Sequence, residues 1–148
     1  MELTMTDLTP DDPALATDVG PLIRTLRPGL DAAGFLEFAA VAHLQGLVFT
    51  AAYDPAGRCL GVAAHRVLAT SRGRLLFVDD LVTAPSARSA GVGARLFDEL
   101  RQRALRAGCL RIELDTGTAN LGAQRFYHAR RMNIVALHFA LDVRRTCD

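Results

Sequence analysis

Residues 78–96 read V-D-D-L-V-T-A-P-S-A-R-S-A-G-V-G-A-R-L, and this stretch restricts the fold more than any other. An apolar strand runs into Ala84-Pro85, a loop of small residues follows, and an amphipathic helix begins at two closely spaced glycines. Pro85 has no N–H to give to a ladder, so regular pairing should end there. A glycine-bearing loop that opens a helix leaves several N–H groups unpaired at the positive end of the helix dipole. Gly91 and Gly93 carry no Cβ, so the main chain can come close to a bulky anion and take φ > 0 where needed. Arg88 adds a forked cationic group three residues upstream. These features describe a cradle for a phosphorylated ligand, although on the two glycines alone an ordinary tight connection reads the same. Two better-known phosphate loops do not fit. A P-loop needs Gly-Lys-Ser/Thr, and all 17 basic residues here are arginine. The dinucleotide fingerprint needs a third glycine where Leu96 stands.

At 148 residues the chain is expected to be one domain, 1–148, with a proper core. Half the residues are hydrophobic, 22% are charged and the formal net charge is +1, with no long basic run. That balance argues against a nucleic-acid or membrane surface as the main partner. The absence of lysine excludes Schiff-base chemistry. Cys59, Cys109 and Cys147 are sparse and odd in number, which suits free thiols in a reducing compartment. Cys109, just before an apolar strand, reads as a small core residue. The N-terminus lacks the pattern of a signal peptide and no apolar run could span a bilayer, so a cytoplasmic location is expected. His43, His65, His128 and His138 have no metal-ligand spacing; each reads as a surface or core histidine, and no metal site is expected.

Residues 2–8 alternate as in a short edge strand. Asp11-Asp12-Pro13 starts a helix that carries Leu15, Val19, Leu22, Ile23 and Leu26 to about Arg27, before Pro28-Gly29. Asp31 can cap a second helix with Phe35, Phe38, Val41 and Leu44 on one side. Residues 47–53 and 59–68 read as strands around the turn Asp54-Pro55-Ala56-Gly57, and Ser71-Arg72-Gly73 leads into a third strand at 74–83. The next helix shows Val92, Leu96, Leu100 and Ala104 every fourth residue, Phe97 beside them, a Glu99–Arg103 pair, and Gly108 as its C-terminal stop. Residues 110–114 form a strand, Ala119 or Asn120 opens a last helix, and 133–143 alternate cleanly as a closing strand. The order is α+β with a mixed sheet.

Two motifs then stand in sequence: R-x-x-G-x-G as Arg88, Gly91 and Gly93, and N-x-x-A-x-x-F-Y as Asn120, Ala123, Phe126 and Tyr127. Correctly ordered and about thirty residues apart, they resemble the GCN5-related N-acetyltransferase (GNAT) family. The similarity is good over residues 45–143, whereas the N-terminal third matches only in its strand–helix–helix plan. The resemblance implies an acyl-CoA N-acyltransferase-like fold. Its mixed sheet would have about six or seven strands flanked by four helices, splayed between strands four and five. It further implies acetyl-CoA as co-substrate, its pantetheine arm meeting the backbone of Leu81, Val82 and Thr83. The pyrophosphate would rest on the N–H groups of Ser89, Ala90, Gly91, Val92, Gly93 and Ala94, and Asn120 would bond the arm from the other side.

Tyr127 would then protonate the departing thiolate, since a phenol stays protonated at neutral pH. A carboxylate on strand four would act through water as base on a primary amine, with Asp79 and Asp80 as candidates on opposite faces and Asp79 slightly preferred. Glu113 and Asp115 are expected near the same site, and Asp115 could position substrate or cap the loop. The acceptor would be a small-molecule or protein amine, and dimerisation through the last strands is common among such proteins. A non-catalytic acyl-CoA-binding or regulatory domain on the same fold is the alternative. A purely structural interaction domain is a third reading. One departure stands out: Arg131-Met132 replace the family's usual glycine and phenylalanine, so the last helix must end differently, with Asn133 as one option. Arg130 and Arg131 could also favour an acidic acceptor.

Overall fold

A computed structural model describes residues 1–144, so Cys147 lies outside the described residues. They fall into two compact units, Met1–Leu114 and the residues from Asp115 onward. The first unit holds β1 (Thr4–Leu8), a π-helical turn (Leu15–Val19), α1 (Gly20–Leu26), α2 (Ala32–Leu44), β2 (Val48–Tyr53), β3 (Cys59–Thr70) and β4 (Gly73–Thr83). A 3-10 turn (Pro85–Ala87), α3 (Val92–Arg106) and β5 (Arg111–Leu114) complete it. The sheet order is β1-β2-β3-β4-β5. The first three pairings are antiparallel, and β4 and β5 are parallel. The α3 helix is the crossover that parallel neighbours require.

Local chemistry explains the element boundaries. Asp12 accepts the Ala14 N–H and Asp31 accepts the Gly34 N–H at 2.7 Å, each satisfying an orphan donor at a helix start. Asp54 accepts both the N–H and the guanidinium of Arg58, closing the β2–β3 turn. On one face of the sheet α1, α2 and the π turn pack Leu15, Ile23, Phe35 and Ala39 against Phe49, Val62 and Ala64. The other face takes α3, with Val92, Leu96, Leu100 and Ala104 against Leu76, Val78 and Ala63. At Gly61 an added Cβ would lie 2.9 Å from Val92 Cγ1, so this glycine lets α3 close on β3. The expected α2 stripe needs correction: Phe35, Ala39 and Ala42 are buried, whereas Val41 and Leu44 are exposed. Almost every α2 position is apolar or alanine, so spacing alone does not mark the buried side.

The second unit contains α4 (Leu121–Ala129), making four α-helices among the described residues. Asn120 caps it by accepting the Ala123 N–H at 3.1 Å. Both α3 and α4 end in the same hydrogen-bonded pattern. After α3, Gly108 sits at φ +72° while the Cys109 N–H reaches the Ala104 carbonyl. After α4 that place falls to Arg131, at φ +62°, with the Met132 N–H bonded to the Tyr127 carbonyl. The helix thus ends on Arg131 itself and not on Asn133. An L-residue with a Cβ is strained there, so Arg131→Gly is expected to raise stability by about 1 kcal/mol in a denaturant titration. A loss of stability would mean that the arginine side chain makes a stronger contribution than its backbone costs. Arg130, in turn, stacks its guanidinium 3.7 Å above the Phe126 ring.

The sheet has five strands among the described residues, not six or seven. Residues 133–143, expected to close it, form no ladder. No helix of the described residues is long and apolar enough to cross a membrane.

Candidate active site

The centre of the site is the end of β4. Its parallel register with β5 runs only from Leu75↔Arg111 to Val78↔Leu114. Residues 79–83 continue along β3 with no β5 partner, so the two strands part where a splay was expected. The Ala84 N–H donates to the Leu60 carbonyl at 2.8 Å, facing β3. By alternation Val82 also faces β3, and the N–H and C=O groups of Leu81 and Thr83 face the side that β5 has left.

A bulge sets the acidic pair. His65 lies opposite Val78 and Ala64 opposite Asp80, leaving Asp79 as the extra residue. The extra residue resets the alternation, so both carboxylates turn toward the face of Ala64, and the expectation of opposite faces is corrected. Arg66 holds Asp79 in a two-bond pair, at 3.1 and 2.9 Å. Arg27, at the end of α1, holds Asp80 at 2.9 Å. The Asp80 side chain is only 10% exposed. Burial raises its pKa above the ordinary carboxylate value, with the Asp79 charge adding to the rise and Arg27 opposing it. The visible sequence signal for this bulge was two adjacent aspartates in an apolar strand; the arginines that hold them come from elsewhere in the chain.

The loop that follows leaves a row of backbone donors without partners. Gly91 takes φ +81° as the N-cap of α3, and Ser89 takes φ +66°, a conformation unusual for a residue with a Cβ. No side chain caps α3. The Ala90 N–H donates to Ala87 and the Arg95 N–H to Gly91. The N–H groups of Ser89, Gly91, Val92, Gly93 and Ala94 find no acceptor among the described residues. Arg88 is exposed and pairs with no carboxylate among those residues. Five orphan donors at a helix N-terminus, with a cation beside them, suit a diphosphate.

In the second unit Tyr127 is half-buried, its ring edge-on to Phe126 at 5.3 Å. Burial raises its phenol pKa, and the Arg130 charge opposes the rise. Asn120 spends its side-chain oxygen on the α4 cap and keeps its amide N–H₂ for another partner. Glu113 is tied to Arg72 and Arg111, whose hydrogen bonds hold its pKa below the ordinary value. Asp115 lies 3.0 Å from His138. Among the described residues no cluster of His, Cys, Asp or Glu could hold a metal ion.

The sequence profile of the Acetyltransferase (GNAT) family matches residues 21–132. A Bacillus subtilis (strain 168) protein named uncharacterized N-acetyltransferase YhdJ is 33% identical over 109 residues, covering 72% of this chain and 76% of that one. The chain belongs to the acetyltransferase (GNAT) family. Membership makes it an acetyl-CoA-dependent N-acetyltransferase, with acetyl-CoA as co-substrate. Solved structures carry the same fold. An acetyltransferase of Trypanosoma brucei aligns with TM-score 0.75 and 24% identity, over 96% of this chain and 100% of that one. An aminoglycoside acetyltransferase from an uncultured soil metagenomic sample gives TM-score 0.76 and 20% identity, over 97% and 100%. The aminoglycoside N-acetyltransferase AAC(6′)-Iy, solved in complex with CoA, gives TM-score 0.76 and 18% identity, over 99% and 96%.

One buried polar network of the first unit was not visible in spacing. His65 is only 4% exposed, and its Nε2 lies 2.8 Å from Thr50 Oγ1. Thr50 gives its own proton to Asp7 at 2.7 Å, so Nε2 carries the proton in the His65–Thr50 bond. Arg103 of α3 closes the chain with two bonds to Asp7 and one to Glu99. This network ties β1, β2, β3 and α3 together.

Proposed function

We propose that this acetyltransferase moves the acetyl group of acetyl-CoA directly to a primary amine of a small molecule, without an acyl-enzyme. The reading rests on the five acceptorless N–H groups of the Ser89–Ala94 loop, which follow an open β4 edge. Ser89, Gly91, Val92, Gly93 and Ala94, with Arg88, hold the diphosphate. Leu81 and Thr83 give backbone hydrogen bonds to the pantetheine arm, Val82 keeps them in line from its place in the core, and the Asn120 amide bonds the arm.

The amine lone pair attacks the thioester carbonyl carbon, and the C–S bond breaks as the tetrahedral centre collapses. The Tyr127 hydroxyl gives its proton to the leaving thiolate and is reprotonated through water by the proton that the nitrogen of the tetrahedral centre gives up as the amide forms. The amine must first lose a proton, which passes through water to a carboxylate. Asp79 is bound on both oxygens by Arg66, whereas Asp80 has a raised pKa and a single partner, so the base role falls to Asp80. A small acceptor is supported by fold relatives that are aminoglycoside acetyltransferases. The near-neutral charge and sparse thiols support a cytoplasmic enzyme with neither nucleic acid nor membrane as partner.

The test is a pH profile of CoA release with a small diamine as acceptor. Activity should fall as pH drops through the raised Asp80 pKa, because the protonated form cannot act as base. Asp80→Asn should lower kcat/KM on the order of 10²-fold and remove that acid limb. An unchanged rate and limb would take the base role away from Asp80.

A further inference from the structure

The adjacent carboxylates of β4 have counter-ions of different kinds. Asp79 is gripped by two N–H groups of Arg66, and neither side chain of that pair is more than 24% exposed. Asp80 receives one N–H from Arg27, at 2.9 Å on Oδ1, and its Oδ2 has no partner among the described residues. The carboxylate is 10% exposed, whereas the guanidinium is 61% exposed. The backbone of Arg27 is held without help from its side chain. Its N–H reaches the Ile23 carbonyl, its own carbonyl accepts the Leu30 N–H at 3.0 Å, and Arg24 Nε donates to the Leu30 carbonyl at 3.1 Å. The Arg27 side chain can therefore leave Asp80 without undoing the end of α1. A singly bonded pair with one exposed partner is weak, whereas a forked, half-buried pair such as Arg66–Asp79 is strong.

We propose that Arg27 is a place-holding counter-ion, displaced from Asp80 by the ammonium form of the acceptor, so that it competes with acceptor binding. The inference rests on the reading of Asp80 as the base. A buried carboxylate without a cation is costly, and Arg27 supplies one until the acceptor brings its own. Exchanging one cation for another leaves the net charge beside Asp80 unchanged and breaks no covalent bond. It also opens Oδ1 to the water that takes the amine proton. The other charged groups near this face are engaged elsewhere: Arg24 on Leu30, Arg66 on Asp79, and Glu113 on Arg72 and Arg111. His65 bonds Thr50, and α3 packs on the opposite face of the sheet. Arg27 is thus the cation that an incoming ammonium has to replace.

Steady-state kinetics with the small diamine tests this. Arg27→Gln is expected to lower the acceptor KM about two- to fivefold, with kcat unchanged above the acid limb. The limb itself should move to higher pH, because the Arg27 charge opposes the rise of the Asp80 pKa. Arg27→Lys, which keeps a cation, should keep the parent KM. In an Asp80→Asn background Arg27→Gln should leave KM unaltered. A KM that Arg27→Gln alone leaves unchanged or raises would overturn the inference, and so would a drop that persists in the Asp80→Asn background. Failure of the base reading shows separately, as a rate and limb that Asp80→Asn alone does not change.

Discussion

Tyr127→Phe is expected to lower turnover about 10²–10⁴-fold, the usual contribution of a positioned acid, while leaving acetyl-CoA affinity unchanged. The substitution deletes one hydroxyl and keeps the ring that packs edge-on to Phe126. Burial raises the phenol pKa, so the hydroxyl is fully protonated near neutrality and always able to donate. A thiolate leaving without that proton must carry its charge in a poorly solvated place, and the loss therefore falls on kcat. Steady-state kinetics with calorimetric binding separates the two effects. Equal turnover in the variant would assign Tyr127 to packing alone, and weaker binding with equal kcat would assign it to the co-substrate site.

The second large effect concerns stability. Burial lowers the His65 pKa from 6.5 to about 4, with the Arg103 charge adding to the drop and Asp7 and Glu99 opposing it. Between these values the unfolded chain binds a proton that the folded chain refuses, so stability is lost as pH falls from 6.5 toward 4. The difference corresponds to about 3 kcal/mol. Asp80, with its raised pKa, acts in the opposite direction, and the Asp7 pKa is lowered, which moves its own loss below the usual aspartate value. The comparison is thus between the parent and His65→Gln, whose amide can still donate to Thr50. Denaturant titrations from pH 7 to 4 should show the parent losing about 3 kcal/mol more than the variant. Parallel slopes would mean that His65 is protonated in the native state.

How far the sequence led can be judged residue by residue. The α3 stripe from Val92 to Ala104 was legible because charged residues separate its apolar positions and Gly108 marks its end. The stripe on α2 was not, since an apolar residue or alanine occupies nearly every position. The glycine loop was legible as a helix start with unpaired N–H groups, but the φ of +66° at Ser89 was not, because serine carries no signal for that conformation. Asp79 and Asp80 were found as a pair and misplaced on opposite faces; alternation assumes an unbroken ladder, and one bulge inverts it. Their arginine partners lie 13 and 53 residues away in sequence, beyond any local pattern. The same holds for His65, Thr50, Asp7 and Arg103, joined only by the order of the strands. For residues 133–143 the alternation led to a closing strand that does not form, because a period of two marks only a possible strand and says nothing of a neighbour to pair with.

The measurement that bears most directly on the whole account is a calorimetric titration with acetyl-CoA beside acetyl-pantetheine, which shares the thioester and arm but lacks the diphosphate. Binding of acetyl-CoA at one site per chain, with acetyl-pantetheine at least tenfold weaker, about 1.4 kcal/mol, is expected from five N–H groups that have no other acceptor. Equal affinity for the two would contradict it, because the loop between Arg88 and Ala94 would then hold no phosphate at all.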